Sequence, residues 1–262
     1  MLFSCAAMAA QEKPNSMVVR QRDGNVHRFS FSCIDYLDFP EVVKVSEFGD
    51  ITTEALTVHM SSTATVPQFV VEEVERVNFA VEESPVPGSA VDLGLSVLWA
   101  TCNVGASRPE EYGGFYAWGE TTAKGSFTEQ NYAFYQNQQY TYIGVNICGT
   151  KYDVARQTWG GDWRLPTRSE IRELTTRCKW TAETLNGIKG YRVTGDNGNS
   201  IFLPAAGYQN GTTPSEVGVG GFYWSGSLDR SMPSAAYNLN FRGYDADWSA
   251  SRAYGFSVRP VK

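Results

Sequence analysis

The side chains capable of acid–base, nucleophilic or metal chemistry are few, and their spacing suits none of it. Both histidines, His27 and His59, lie in the first quarter of the chain. No Ser–His–Asp or Cys–His arrangement can therefore be assembled within the segment that follows. The histidines sit at strand-like positions, where a solvated or satisfied ring is the expectation rather than a ligand pair. The cysteines (Cys5, Cys33, Cys102, Cys148, Cys178) match no metal-ligand spacing. Asp245 and Asp247 come nearest to a carboxylate pair. Glycoside hydrolysis needs two carboxyls held at a fixed separation, whereas a Ser-, Ala- and Gly-rich loop leaves them solvated. The expectation is a protein that is not an enzyme and holds no metal or cofactor.

Binding chemistry remains, and it concentrates at the C-terminus. From Val217 to Val261, forty-five residues contain no Glu, Gln or Lys, although the chain has thirty-three of them. Polarity persists there through Asp229, Arg230, Arg242, Asp245, Asp247, Arg252 and Arg259. The segment reads as a ligand surface between Ser225 and Gly255. Tyr244, Arg242 and Arg252 would be anchors, with Asp229, Arg230, Asn238, Asn240, Asp245, Asp247 and Ser249 giving adaptable contacts. The alternation in "YNLNF" sends Leu239 and Phe241 inward and Asn238, Asn240 and Arg242 outward. Trp248 is expected to be a buried strut beneath the loop.

The elements that must position these residues fall into two domains, as 262 residues and a composition break near "ESPVPGSAVDLG" suggest. Residues 83–90 form the linker, with Pro85, Pro87 and Gly88. Residues 1–11, "MLFSCAAMAAQ", read as a secretory leader remnant lacking its basic region. A lipoprotein box ending at Cys5, which would carry a lipid anchor, stays open beside that reading. The formal charge of −6, with scattered Lys and Arg, excludes a phosphate-backbone footprint, so nucleic acid is not an expected partner. No apolar run is long enough to span a bilayer.

Residues 16–82 read as a duplicated, mainly β domain. At an offset of forty residues Val18, Val26, Phe29, Ile34, Leu37 and Phe39 fall on Val58, Val66, Phe69, Val74, Val77 and Phe79. Residues 91–262 are rich in aromatics and Gly, with short strands and one clear helix. It opens with a capping box, Thr167 with Glu170, ahead of apolar Ile171 and Leu174. "YAFYQNQQYTY" reads as a long surface loop, its tyrosines open to an aromatic binding role. Trp99, Trp118, Trp163 and Trp224 are assigned to the core. Among the cysteines of this segment a Cys102–Cys178 bridge is weighed against free buried thiols.

The strings "DLGLSVLWATCNVGASRPEEYGGFYAWGE", "YDVARQTWGGDWRLPTRSEIREL", "GNSIFLPAAGY", "YWSGS" and "FSVRPV", spanning about Val91 to Val261, resemble the bacterial major-paralogous-domain family known as FISUMP. That resemblance implies an α+β class with a C-type-lectin-like C-terminal domain, whose N- and C-terminal strands pair while long loops carry recognition. The calcium motifs of animal lectins, Glu-Pro-Asn and Trp-Asn-Asp, are absent, and Asp247-Trp248-Ser249 is the nearest string. Formylglycine-generating enzymes of similar fold use a late cysteine pair, but no Cys follows Cys178. The alphabet of Val217–Val261 also fits randomised adenines in Asn codons. In that respect it is similar to the variable proteins of diversity-generating retroelements; a compositional accident is the alternative.

The resulting expectation is a secreted or outer-surface bacterial protein that binds an extracellular protein or glycan through its C-terminal surface. A fimbrial-type structural subunit or an accessory to a carbohydrate-active enzyme is the alternative.

Overall fold

The computed structural model describes residues 16–30, 34–38, 41–46, 49–60, 68–70, 74–80, 89–241 and 245–262. The chain divides after Ser84 into two units. The leader with Cys5, as well as Cys33 and linker residues 83–88, lie outside the described residues.

The first unit is built from strands β1 (Ser16–Gln21), β2 (Val26–Ser30), β3 (Ile34–Asp38), β4 (Glu41–Ser46), β5 (Gly49–Met60), β6 (Gln68–Val70) and β7 (Val74–Ala80). A tight turn joins β1 to β2: Gly24 takes φ +92°, and the Asn25 N–H donates to Asp23 Oδ1 at 2.9 Å. The pairing repeats within the unit. β1 pairs with β2 as β5 pairs with β6, and the third strand of each half crosses over, β7 to β1 and β3 to β5.

Register fixes which residues are equivalent. Met17 lies opposite Phe29 as Leu56 lies opposite Phe69, and Val19 opposite Val77 as Val58 lies opposite Leu37. The two halves therefore align thirty-nine residues apart in the first strand and forty in the others, and the β1–β7 and β3–β5 ladders each carry an irregularity at the equivalent place. A one-residue slip exchanges the two faces of a strand, so Val19, not Val18, is the partner of Val58. The core follows this symmetry, with Met17, Val19 and Phe29 meeting Leu56, Val58 and Phe69, and with Ile34 and Val74 packed alongside. Phe39 and Val66 lie outside the described residues. His27 hydrogen-bonds Gln21 at 3.0 Å and meets the edge of Phe69, whereas nothing is described of the His59 side chain.

Among the regular elements described in the second unit, short strands outnumber the two α-helices. Strands β8 (Ala90–Val91) and β9 (Trp99–Ala100) pair first. A 3-10 turn, Glu129–Asn131, then leads into the hairpin of β10 (Tyr135–Gln136) and β11 (Gln139–Tyr140). Helices α1 (Val154–Trp159) and α2 (Arg168–Arg177) follow. Next comes a meander of β12 (Lys179–Leu185), β13 (Ile188–Thr194) and β14 (Ser200–Pro204). Its first turn is Asn186-Gly187, with φ of 49° and 81°, the left-handed pair that a two-residue hairpin demands. The short pair β15 (Tyr208–Gln209) and β16 (Pro214–Ser215) precedes the last sheet, formed by β17 (Phe222–Leu228), β18 (Ala235–Asn240) and β19 (Asp245–Ser251).

Helix α2 carries its expected cap. The Thr167 hydroxyl accepts from the Glu170 N–H and the Glu170 carboxylate from the Thr167 N–H, at 3.3 and 2.7 Å. Arg164 adds a bond of 2.6 Å to the same carboxylate. Burial opposes ionisation of Glu170, but these bonds outweigh it and hold the carboxyl below its ordinary value. The stabilisation this gives is present above the ordinary carboxyl range and fades as pH falls through the depressed folded value.

The last sheet separates two cores. Along β17, Phe222 and Trp224 enter one cluster, with Trp118, Val154, Leu165 and Phe256. Tyr223 enters the other, with Ile171, Leu174, Leu203, Leu239 and Phe241. This is the period-two alternation of a strand buried on both faces. Trp99, Trp118, Trp163 and Trp224 are all buried, and so are Leu239 and Phe241. The three cysteines described are free thiols, and Cys102 and Cys178 are not bridged. Cys102 faces the Ala106 carbonyl beside the chain terminus, whereas Cys178 caps the end of α2, so each has its own local packing.

The final residues thread the middle of this unit. Lys262 exchanges hydrogen bonds with Leu98, Val261 with Arg164, and Ser257 bonds across to Phe222 and Trp224, all between 2.9 and 3.1 Å. Arg259, 1% exposed, locks the thread. It donates to Asn103 Oδ1 (2.8 Å), to the Ala100 and Thr101 carbonyls (3.0 and 2.8 Å) and to the Phe202 carbonyl (2.9 Å). Arg259→Met would strand all four acceptors in the interior, where each unsatisfied group costs about 1–3 kcal/mol. We expect a loss of more than about 3 kcal/mol in urea unfolding; an unchanged midpoint would show that the contact is incidental.

Candidate functional site

The C-terminal sheet holds the residues expected to contact ligand, and it divides them sharply between frame and surface. Arg252 belongs to the frame. It is 1% exposed and donates to the Tyr132 hydroxyl (3.0 Å) and to the Pro233 (3.2 Å) and Thr141 (3.1 Å) carbonyls. Its guanidinium lies 4.9 Å from the centroid of the Trp118 ring, with Tyr132 and Tyr140 at 5.4 and 5.5 Å. The expectation that Arg252 anchors a ligand is thus corrected: its donors satisfy loop backbone that has no ladder partner.

Two further expectations reverse. Asn238, expected to face outward, is fully buried. Leu239 and Phe241 do enter the core as the alternation requires, but β18 is covered on both faces, so the alternate positions are interior too. The Asn238 side chain donates to the Trp248 carbonyl at 3.1 Å. Trp248, expected to be a buried strut, is 55% exposed. The β18–β19 ladder is irregular between Asn238 and Asn240, and a parity count cannot be carried through such a break.

Asp229 is also buried. It accepts from the Ser231 N–H and hydroxyl at 2.9 and 2.7 Å and from Ser249, which joins the turn after β17 to strand β19. Burial opposes its ionisation, yet these bonds prevail and hold its carboxyl below the ordinary value. Arg230 is exposed and Asn240 half-buried. Asp245 and Asp247 lie on β19, with Asp245 paired to Asn240, but nothing is described of their side chains. Arg242 and Tyr244 lie outside the described residues.

Other residues complete the surface. Arg252 gathers Pro233 and Thr141 onto one guanidinium, and Leu228 donates to the Val145 carbonyl at 3.0 Å. The segments carrying the exposed Tyr142 and Met232 are thereby tied together, and Ser249 ties in the one that carries Trp248. On α2, Arg168 stacks 3.8 Å over Tyr237 of β18.

The loop "YAFYQNQQYTY" is organised rather than open. Thr128 and Asn131 form a capping box on the 3-10 turn, and Asn137 and Gln138, at φ 51° and 59°, close the hairpin. Tyr132 is buried against Arg252, where burial raises its phenol pKa despite the guanidinium beside it. Tyr140 bonds Glu129 and is pushed up to about 12, mainly by burial. Tyr142 alone of these tyrosines is strongly exposed, and the composition of the loop could not single it out.

Among the described residues no group of three or more His, Cys, Asp or Glu is arranged to hold a metal ion, and no helix is long and apolar enough to cross a membrane.

The division into frame and surface predicts an order of mutational cost. Trp248→Ala should cost about 1 kcal/mol or less, as substitutions at exposed positions do, whereas Arg252→Leu should cost about 3 kcal/mol or more by stranding buried acceptors. Urea unfolding of the two variants checks this, and the opposite order would contradict it. The chain matches no known family model, no characterised protein sequence and no solved structure.

Proposed function

We propose that the protein is an extracellular binding protein of bacterial surfaces. In this reading its second unit is a C-type-lectin-like domain of the major-paralogous-domain type, and its first unit is a spacer. The observation that carries the reading is the contrast within the last sheet. Buried Asp229, Asn238 and Arg252 hold the chain, and exposed Arg230, Met232 and Trp248 stand on it. Trp and Arg are the side chains most favoured at binding hot spots, and a locked frame lowers the ordering cost of association. The ligand is an extracellular protein or glycan, held non-covalently. Secretion, by a cleaved leader or with a lipid on Cys5, belongs to the same reading.

The test is to screen the labelled protein on arrays of glycans and extracellular proteins beside a triple variant, Arg230→Ala, Met232→Ser and Trp248→Ala. We expect a defined set of ligands for the parent protein and at least a tenfold weaker signal for the variant, with its melting temperature little changed, since removing one hot spot costs about 2 kcal/mol. No ligand on any array, or equal binding by the variant, would overturn the proposal.

A further inference from the structure

A cleft of about 400 Å³ opens elsewhere in the second unit, lined by residues 119–124 together with Asn131, Ala133, Phe134, Lys151 and Tyr152. That volume is at the small end of the range for ligand pockets. Its aromatic side is formed by Phe134 and Tyr152, which meet edge to face at 5.3 Å. Gly119 makes room for Phe134 and for Ile143 beside it: at φ +87° a Cβ there would come 2.5 Å from Ile143 and 3.2 Å from the Phe134 ring.

The polar lining is fixed and nearly neutral. Lys124 pairs with Glu120 at 2.8 Å and donates to the Asn131 carbonyl at 3.0 Å, and the Ala133 N–H donates to Glu120 at 2.8 Å. The charges of that pair cancel. Lys151 is left over. Its ammonium lies 5.1 Å from the Tyr152 ring centroid, and no carboxylate pairs with it among the described residues. Thr121 and Thr122 add hydroxyls to the lining.

We propose that this cleft binds an acidic sugar, a hexuronate unit of a glycan. The C–H face of a pyranose ring suits an aromatic wall, its hydroxyls suit the two threonines, and its single carboxylate matches the one unbalanced cation. A phosphate-rich ligand would need more positive charge than the lining offers. An extended peptide would need a free strand edge, which the lining residues, none of them in a strand, do not supply. None of its lining residues belongs to the last sheet.

Calorimetric titration of the full chain with digalacturonate, and with the neutral disaccharide of the same linkage, tests the proposal. The acidic dimer should bind at least tenfold tighter, and raising the salt should narrow that gap, as expected for an exposed cation. Lys151→Gln should abolish the preference, and Tyr152→Ala should weaken both sugars about tenfold. The triple variant of Arg230, Met232 and Trp248 should bind the acidic dimer like the parent protein. Equal affinity for the two dimers, absence of saturable binding, or parental binding by both cleft variants would overturn the assignment. Loss of binding in the triple variant alone would place the sugar on the sheet surface instead.

Discussion

A single buried cation organises the second unit. Arg259 has no carboxylate among its hydrogen-bond partners; its guanidinium is satisfied by three backbone carbonyls and the Asn103 amide oxygen. Burial lowers its pKa, but an arginine starts so high that the group stays charged at neutral pH. The carbonyls it holds belong to residues 100 and 101, near the start of the unit, and to β14, while the arginine itself stands three residues before Lys262. One side chain therefore joins the start, the middle and the terminus. The neighbouring Pro260 has no N–H to lose, and the Val261 and Lys262 ladders continue beyond it.

The same device recurs at two other places where the chain leaves regular structure. Arg252 supplies donors to loop carbonyls at Thr141 and Pro233. Asp153 does the reverse, its carboxylate accepting from the Gly149, Ala155, Arg156 and Leu165 N–H groups at 2.7 to 3.2 Å. Burial raises the Asp153 pKa against those bonds. Much of the second unit between Cys102 and Val154 is loop, whose backbone polar groups have no ladder to satisfy them. Buried side-chain charge takes that role, and in doing so fixes the few positions that remain at the surface.

This explains what the sequence could and could not reveal. The α2 cap was legible because Thr167 and Glu170 act over one helical turn, and the four core tryptophans because burial is their default. Arg252 was misread because its partners lie nineteen or more residues away, so no local pattern distinguishes a buried guanidinium from a solvent-facing one. Asn238 and Trp248 were misread because a strand covered on both faces, with an irregular ladder, defeats a parity count. The missing Glu, Gln and Lys of Val217–Val261 have a plain physical source as well. More than half of the described positions there are buried, and long charged or amide side chains are rarely found inside. In the first unit the duplication shows in the spacing of Phe29 and Phe69, but the thirty-nine-residue offset of the first strand emerges only from register.

A binding surface on this unit depends on the terminal thread being part of the core and not a fraying tail. Native-state hydrogen exchange followed by NMR tests that directly, through the amides of Phe256, Ser257 and Val261, which donate to Tyr116, Phe222 and Arg164. Chain ends ordinarily exchange through cheap local opening. The account predicts that these three amides instead exchange only through global unfolding of the unit, as slowly as those of the β12–β14 meander. Exchange at the rate of the exposed turn at Ser231–Pro233 would contradict it.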